Sequence, residues 1–327
     1  MTGLSKLNVA NQQHGSAAWI IHLKLLFVAV AWGLGWTAGR VMALNMPPVS
    51  AAWIRYIIAI PCLMAWMVYL EGWRVPTKQE WRKIIIIGIF STFLYQTFFM
   101  FGMKWTAAGD ASLVIAFNPL FTALLAIPFL GNKITPRLGW SLLLGVGGIL
   151  VIFTQSPNVN IPANERILGD TLIAIAALVW AFASIQIKKA MNNPTSDSTK
   201  PLTPLAITVW ASIVGLTFLT PWAGVETYMH GIPIIDMYTW AAIVFLAIGS
   251  TVISYVWFAQ GIKELGESYA ALYVYLVPPF GIISGWVLLD EKLGWSLLIA
   301  LILIIGGVAL AQSENKQEPY QTITENL

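Results

Sequence analysis

Ten stretches of about 20 predominantly apolar residues dominate the sequence, and they restrict its fold more than any other feature. Each is long enough to cross the ~30 Å hydrocarbon layer of a bilayer. Because lipid offers the backbone no hydrogen-bond partners, continuous spans of this length must be helical. Charged residues make up 10% of the chain, against about 25% in soluble domains. We predict an all-α integral membrane protein with ten transmembrane helices, at residues 25–44, 49–70, 84–103, 107–130, 138–154, 169–187, 205–225, 238–261, 269–289 and 293–311.

The hexapeptide LGWSLL occurs twice, starting at Leu138 and at Leu293, and it indicates an internal duplication. Upstream of the two copies, residues 102–133 align without a gap to residues 261–292. The identical positions include three at which apolar sequences seldom agree by chance, namely Lys104, Pro119 and Lys133. We therefore interpret the chain as a tandem duplication.

The duplication divides the chain into two five-helix units. We predict an N-terminal repeat at residues 1–157, a C-terminal repeat at residues 158–312, and a disordered cytoplasmic tail at residues 313–327. Because each unit has an odd number of spans, the second copy should enter the membrane in the opposite orientation. The two repeats are therefore predicted to be inverted relative to each other.

The basic residues fall mainly on one side of the predicted spans. Of 18 Lys and Arg residues, thirteen lie on the side of the chain termini, and Arg55 lies inside a span. The four on the opposite side are Arg40, Lys104, Arg166 and Lys292. The positive-inside rule then predicts a multi-pass protein of the cell (inner) membrane with cytoplasmic N- and C-termini.

From Val28 to Ala311 the sequence resembles the drug/metabolite transporter superfamily, in its EamA-type branch of ten-helix carriers. The motifs that carry the resemblance are Ala31-Trp32-Gly33, Trp53-Ile54-Arg55-Tyr56, ASLVIAFNPLFTALLA from Ala111, Pro278, and LLDEKLGW from Leu288. The resemblance implies two inverted five-helix repeats around a central cavity lined by the third, fourth, eighth and ninth helices. It also implies export of small metabolites, amino acids among them. The family's acidic residue after the fourth span occurs here only in the second copy, as Glu291, because the first copy has Asn132.

Pro119 and Pro278 occupy matched positions near the middle of the fourth and ninth spans. Each proline removes a backbone donor and tends to kink its helix. Matched interruptions in two repeats point to a midplane substrate site in carriers, although proline is also common in membrane helices. We assign both prolines to the predicted substrate site.

Arg55 lies six residues inside the second span, about 9 Å from its end at 1.5 Å per residue. Two interpretations are open. The side chain either snorkels to the membrane surface or makes a structural hydrogen bond, or it faces the cavity and holds a substrate carboxylate with its planar fork.

The predicted cavity helices are rich in aromatic and amide side chains. Such residues pack helices together more often than they line a ligand site, but hydroxyls and rings beside a kink also suit an amphipathic solute. The further candidate substrate-binding residues are Tyr95, Phe99, Asn118, Ser254, Trp257 and Tyr273.

Asp110 begins the fourth span, where it either caps the helix N-terminus or relays protons. The cap is favoured, because helix N-termini prefer acidic residues for dipole reasons alone. No carboxylate lies in the middle of any predicted span. This disfavours an obligatory proton relay and leaves facilitated exchange or uniport open.

Several other functions are disfavoured by the sequence. The net charge of +3 is too small to indicate nucleic-acid binding. No G-x-x-x-x-G-K-[ST] or H-E-x-x-H motif occurs, and the three histidines lie far apart. We predict that the protein is not an enzyme, with no catalytic residues, no metal and no cofactor.

The prediction is a secondary transporter that exports or exchanges a small organic metabolite by alternating access. Following the resemblance, the expected substrates are amino acids or related amphipathic solutes. The alternatives are a channel or facilitator for small solutes and, ranked lower, a membrane-embedded enzyme. The expected partners are the small-molecule substrate and the lipid bilayer, and the expected state is a monomer or weak homodimer.

Overall fold

A computed structural model describes the backbone of residues 4–192 and 202–312 and the side chains of residues 19–192, 202–266 and 269–312. The predicted tail at 313–327 lies outside the described residues. Within the described residues, ten helices are long and apolar enough to cross a membrane, as predicted. We number them spans 1 to 10: Trp19–Asn45, Pro48–Glu71, Lys78–Trp105, Ala108–Leu130, Pro136–Gln155, Ala163–Asn192, Pro204–His230, Met237–Leu265, Tyr269–Leu289 and Trp295–Gln312.

Proline and hydroxyl residues determine where several spans begin. Spans 2, 5 and 7 start at Pro48, Pro136 and Pro204, where a missing N–H costs little because first-turn N–H groups have no partner in the helix. Span 3 starts with a capping box, in which Thr77 accepts from the backbone N–H of Glu80 and the Glu80 side chain accepts from that of Thr77 at 2.8 Å. Local sequence therefore fixes these helix starts.

The loops that follow the odd-numbered spans meet at one face of the bundle. The backbone N–H of Lys292, after span 9, donates to Asn158 Oδ1, after span 5, at 2.8 Å. The Arg40 guanidinium of span 1 donates to the carbonyl of Met103, near the end of span 3, at 2.6 Å. We call this the distal face, and the face at which span 1 begins the proximal face. The charge pattern predicts that the distal face points out of the cell.

Helix packing follows the same scheme in both halves. Spans 3 and 4 pack mainly against span 6, and spans 8 and 9 pack mainly against span 1. Span 2 pairs with span 7 and span 5 with span 10. The first helix of each half thus packs against the third and fourth helices of the other half. This exchange creates two groups, which we call the span 6 group (spans 3, 4 and 6) and the span 1 group (spans 1, 8 and 9).

Carboxylates hold both ends of the pair formed by spans 2 and 7. Glu226, near the end of span 7, accepts from the backbone N–H groups of Val49 and Ser50 at 3.1 and 2.7 Å and from the Ser50 hydroxyl at 2.9 Å. At the other end, Glu71 accepts from the Thr203 hydroxyl at 2.6 Å. Each helix begins beside the end of the other, so spans 2 and 7 run antiparallel. The inverted repeats and their boundary at 157/158 stay predictions, which this pairing supports.

Spans 3, 4, 8 and 9 are interrupted at matched places. Span 4 breaks after Ile115 and resumes at Asn118, and span 9 breaks after Val274 and resumes at Val277. Pro119 and Pro278 are the second residues of the resumed helices. Spans 3 and 8 contain π-helical turns at Ile89–Leu94 and Phe245–Ile253. Such turns occur frequently at functional sites, so the four predicted cavity helices are also the four irregular ones.

Candidate functional site

Arg55 is the centre of a buried polar cluster between spans 2, 3 and 8. Its side chain is 8% exposed. Nη1 donates to Gln96 Oε1 at 3.2 Å and Nη2 donates to Thr251 Oγ1 at 2.7 Å, while Gln96 donates to the Tyr56 hydroxyl at 3.1 Å. The π-helical turns position the two acceptors, since Gln96 follows the turn of span 3 and Thr251 lies within that of span 8. We call these four residues the Arg55 cluster.

The Arg55 guanidinium takes part in no ion pair among the described residues. Its hydrogen-bond partners are a neutral amide and a neutral hydroxyl. Its Nε atom is one of four buried side-chain atoms in the described part of the chain that lack a partner. A buried charge without a counter-charge is costly. An anion beside Arg55 would supply the missing counter-charge.

Aromatic rings surround the Arg55 cluster in a matched arrangement. Tyr95 of span 3 lies 5.1 Å from Trp180 of span 6, centroid to centroid, and Tyr255 of span 8 lies 6.2 Å from Trp32 of span 1. Phe99 stacks against Tyr95 at 6.1 Å. The Arg55 Cζ atom itself lies 5.7 Å from the centroid of the Tyr56 ring. A cationic centre with aromatic walls suits an amphipathic solute.

The other predicted residues at the helix interruptions bond mainly to backbone groups. Asn118 donates to the carbonyl of Ala177 in span 6 at 2.9 Å, beside Pro119. The Ser254 hydroxyl donates to the carbonyl of Gly249 in the π-helical turn at 2.8 Å. These contacts shape the interrupted helices. A substrate-binding role for these residues stays a prediction, as it does for Pro278.

Trp257 and Tyr273 lie near the proximal face beside the beginning of span 1. The Tyr273 hydroxyl is 2.7 Å from His22 Nδ1. Trp257 packs edge-on against Phe27 at 4.9 Å, with the Lys24 ammonium 5.8 Å from its ring centroid. The structure therefore places these two predicted residues with span 1, while Arg55, Tyr95 and Phe99 come together at the centre.

Glu291, in the loop after span 9, closes the distal face over span 4. Its carboxylate accepts from the backbone N–H groups of Ala108 and Gly109 at 2.6 and 2.9 Å. Burial raises the pKa of Glu291, while these N–H groups and the Arg40 guanidinium oppose the rise. The cap of span 4 is therefore a carboxylate from the second repeat, which connects the span 1 group to the span 6 group.

Asp110 and Asp170 are fully buried near this cap. Asp110 accepts from the Ser156 hydroxyl at 2.5 Å and from Asn158 Nδ2 at 3.3 Å, so it holds the loop after span 5 and does not cap its own helix. The sequence predicts no carboxylate in the middle of a span, and Asp170, the eighth residue of the 30-residue span 6, is buried nearer to its start. Span 6 begins at Ala163, six residues before the predicted start, because the polar turns at its beginning continue the helix.

Sequence reasoning missed three residues that the structure makes central. Thr251 had no local signal, because only the π-helical turn of span 8 directs its hydroxyl to Arg55. The predicted start of span 6 at residue 169 places Asp170 at the membrane surface, although Arg166 four residues earlier indicated a shared helix face. Glu226 looked like an ordinary polar residue at a helix end. Its contact with span 2 depends on the pairing of the two repeats.

Comparison with known proteins gives one consistent result. The sequence profile of the EamA-like transporter family matches residues 19–154 and again residues 167–312. An "Uncharacterized transporter" of Archaeoglobus fulgidus is 25% identical over 296 residues, covering 90% of this chain and 98% of the relative. "Uncharacterized transporter YyaM" of Bacillus subtilis is 28% identical over 280 residues, covering 84% and 88%.

Two further similarities concern activity and fold. A protein of Escherichia coli named "Probable amino-acid metabolite efflux pump" is 28% identical over 292 residues, covering 86% of this chain and 91% of the relative. A solved structure described as "Crystal structure of protein" has a TM-score of 0.59 at 19% identity, covering 93% of this chain and 99% of the other. This last likeness concerns the fold alone. The relatives are named as transporters or efflux pumps, in agreement with the prediction that the protein is not an enzyme.

Proposed function

This chain belongs to the EamA-like transporter family, and we propose that it is a secondary carrier for small amphipathic metabolites that bear a carboxylate, amino acids among them. The observation that carries the proposal is the buried Arg55 guanidinium, which lacks an anionic partner among the described residues. A substrate carboxylate supplies the missing counter-charge, and a planar fork suits it. The name of the Escherichia coli relative supports the same substrate class.

The aromatic residues around Arg55 define the other half of the substrate. Tyr95 with Trp180 and Tyr255 with Trp32 offer ring faces and hydroxyls on two sides of the guanidinium. Apolar pockets with a few oriented polar groups bind solutes by their apolar part and orient them by their charge. An apolar or aromatic side chain therefore packs between the rings while the carboxylate reaches Arg55.

Transport follows from the two helix groups that meet at this cluster. Glu291 holds the span 6 group and the span 1 group together at the distal face. In the first repeat, the position that corresponds to Glu291 is Asn132, which carries no charge. Alternating access requires rocking of the two groups about the central site. The distal contacts break when the carrier opens outward.

We further propose that the protein lies in the cell (inner) membrane with cytoplasmic termini. Thirteen Lys and Arg residues lie on the side of the chain termini and four on the opposite side, which supports this orientation. A single chain already contains both repeats and both helix groups, which supports a functional monomer or weak homodimer.

The first experiment measures thermal stability of the purified protein with amino acids, with their carboxamide analogues, and with sugars and nucleosides. A ligand that binds the native state raises the apparent Tm. We expect amino acids with apolar side chains to raise it and their carboxamides to have no effect. Equal stabilisation by the uncharged analogues would show that no carboxylate is recognised.

The second experiment measures counterflow of the best ligand in proteoliposomes. A carrier accelerates exchange when substrate is present on the opposite side, whereas a channel shows no such effect. Arg55→Gln should abolish exchange, and Arg55→Lys should weaken it because a point charge replaces the bidentate fork. Arg137→Gln, at the half-exposed start of span 5, is the matched control. Unchanged exchange in Arg55→Gln would remove Arg55 from the site.

A further inference from the structure

A second charged cluster lies at the distal face, apart from the Arg55 cluster. We call it the distal cluster and define it by three carboxyl groups and two guanidinium groups: Asp110, Asp170, Glu291, Arg40 and Arg166. Electrostatic interactions connect Asp170 to Asp110 and Arg166, Asp110 to Glu291, and Glu291 to Arg40. With every group ionised, the distal cluster carries one net negative charge in a largely buried location.

The three carboxyl groups differ in their hydrogen-bond donors. Glu291 accepts from two backbone N–H groups. Asp110 accepts one side-chain donor on each of its oxygens. Asp170 accepts from the Thr106 hydroxyl on Oδ1, while its buried Oδ2 has no partner. Because unmet hydrogen bonds penalise a buried anion most, Asp170 is the least stable carboxylate of the three.

Arg166 lies one helical turn before Asp170 but does not neutralise it directly. The two residues form no ion pair within the described part of the chain. Arg166 is 5% exposed, its Nη2 donates to the carbonyl of Phe153 at 3.4 Å, and its Nε has no partner. The Arg166 guanidinium therefore stabilises the negative charges of Asp110 and Asp170 by electrostatic attraction at a distance, without a direct ion pair.

We propose that Asp170 is a proton-binding site, and that the proton on its Oδ2 keeps the distal face closed. One bound proton makes the distal cluster neutral, with two carboxylates facing two guanidinium groups. When Asp170 loses the proton to water, the span 6 group contains two negative charges, on Asp110 and Asp170, and only one positive charge, on Arg166. Glu291, on the other helix group, then faces a net negative charge, and the contact across the distal face weakens.

A polar cavity provides a route for the proton. A cavity of about 170 Å³ at the distal face is lined by Arg40, Asn158 and Glu291, among others. Asn158 also donates to Asp110 at 3.3 Å, and Asp110 is the electrostatic neighbour of Asp170. Two side chains, Asn158 and Asp110, therefore separate the water in this cavity from the proposed proton site on Asp170.

Two further charged groups lie near this end of span 6, namely Lys104 at the end of span 3 and Glu165 in the first turn of span 6. Both residues are exposed, and the Lys104 ammonium lies over the Trp105 ring, 5.9 Å from the centroid. Salt and water screen charges in such positions. The proton on Asp170 is thus balanced against the other four members of the distal cluster.

The proposal is tested by chemical labelling of Ser112→Cys in a Cys62→Ser background, without any substrate. Ser112 is fully buried one turn below Gly109 and donates to its carbonyl at 2.8 Å, so an impermeant maleimide reaches it only when the distal face opens. Labelling rates of purified protein are measured from pH 6 to pH 8. Each rate is divided by that of the same thiol in the Asp170→Asn variant at the same pH, which cancels the intrinsic reactivity of the cysteine.

We expect this ratio to rise with pH by up to tenfold per pH unit, the limit for one proton. Asp110→Asn should flatten the rise, because Asp170 then ionises beside Arg166 without a like-charged neighbour. Asp236→Asn changes an exposed carboxylate of the same face and should leave the rise intact. A ratio that stays constant with pH, while the rate relative to a Glu291→Gln variant still rises with pH, would place the proton on Glu291 and overturn the proposal.

Infrared difference spectra give an independent readout if a variant folds poorly. The wild-type protein should show the C=O stretch of a protonated carboxyl that disappears as the pH is raised, and Asp170→Asn should lack this band. A band that survives the substitution contradicts the assignment. The role of the Asp170 proton in transport rests on the proposed carrier function, whereas the proton site itself does not. Neither readout requires a substrate, so failure of the proton site and failure of the substrate assignment are distinguishable.

Discussion

Glu226 and Glu71 provide a matched pair of contacts whose energies should differ strongly. Both carboxylates connect the end of one helix of the span 2 and span 7 pair to the beginning of the other. Glu226 is 7% exposed and accepts three hydrogen bonds, two of them from backbone N–H groups. Glu71 is exposed and accepts one from a hydroxyl. Comparing Glu226→Ala with Glu71→Ala therefore shows how burial changes the energy of the same kind of helix-end contact.

The expected loss for Glu226→Ala follows from its three hydrogen bonds. Hydrogen bonds to a charged group contribute about 1.5–3 kcal/mol each. Burying the carboxylate costs several kcal/mol and offsets much of this sum, which leaves a net loss of about 2–3 kcal/mol. Glu71→Ala should cost less than about 1 kcal/mol, because an exposed contact is hydrated and screened.

Apparent Tm measurements on purified protein detect this difference. At about 2 °C per kcal/mol for a chain of this size, Glu226→Ala should lower Tm by about 5 °C and Glu71→Ala by less than about 2 °C. Ser50→Ala removes one of the three donors to Glu226. The loss of Tm in the double variant Ser50→Ala with Glu226→Ala should therefore be smaller than the sum of the two single losses. Equal losses for the two glutamates would refute the reasoning that burial decides the energy of these contacts.

Three further predictions concern single positions. A methyl group added in Gly281→Ala would lie 2.5 Å from Ser112 Cβ, so spans 4 and 9 should separate, and labelling at the distal face should increase. Asp290 has a φ of 54°, which costs a non-glycine residue about 1 kcal/mol, so Asp290→Gly should raise the apparent Tm by about 2 °C. The backbone N–H of Thr239 donates to Asp236 Oδ1 at 2.8 Å, and hydrogen bonding to Thr239 lowers the pKa of Asp236. The stability difference between wild type and Asp236→Ala should therefore be full above the ordinary aspartate pKa and disappear as the pH falls through the lowered value, as seen in Tm against pH.

Much of the site could be anticipated from the residues alone. Pro119 and Pro278 marked the interruptions of spans 4 and 9, because proline removes a backbone donor wherever it occurs. Arg55 stood out because an arginine inside an apolar span needs an explanation. The choice between its two interpretations could not be made, since the partners Gln96 and Thr251 come from helices 41 and 196 residues away in the chain.

The sequence by itself determined the ten spans, the duplication and the positions of the interruptions, because these depend on local apolarity and on residue types at fixed spacing. Only the tertiary structure decided which polar groups meet. Glu291 reaches span 4 across 183 residues of chain, and the exchange of helix partners between repeats buries Asp170 beside Asp110 at the distal face. Contacts of this kind depend on how two helix groups pack against each other. Hydropathy and charge patterns along one chain describe each helix separately and leave that packing open.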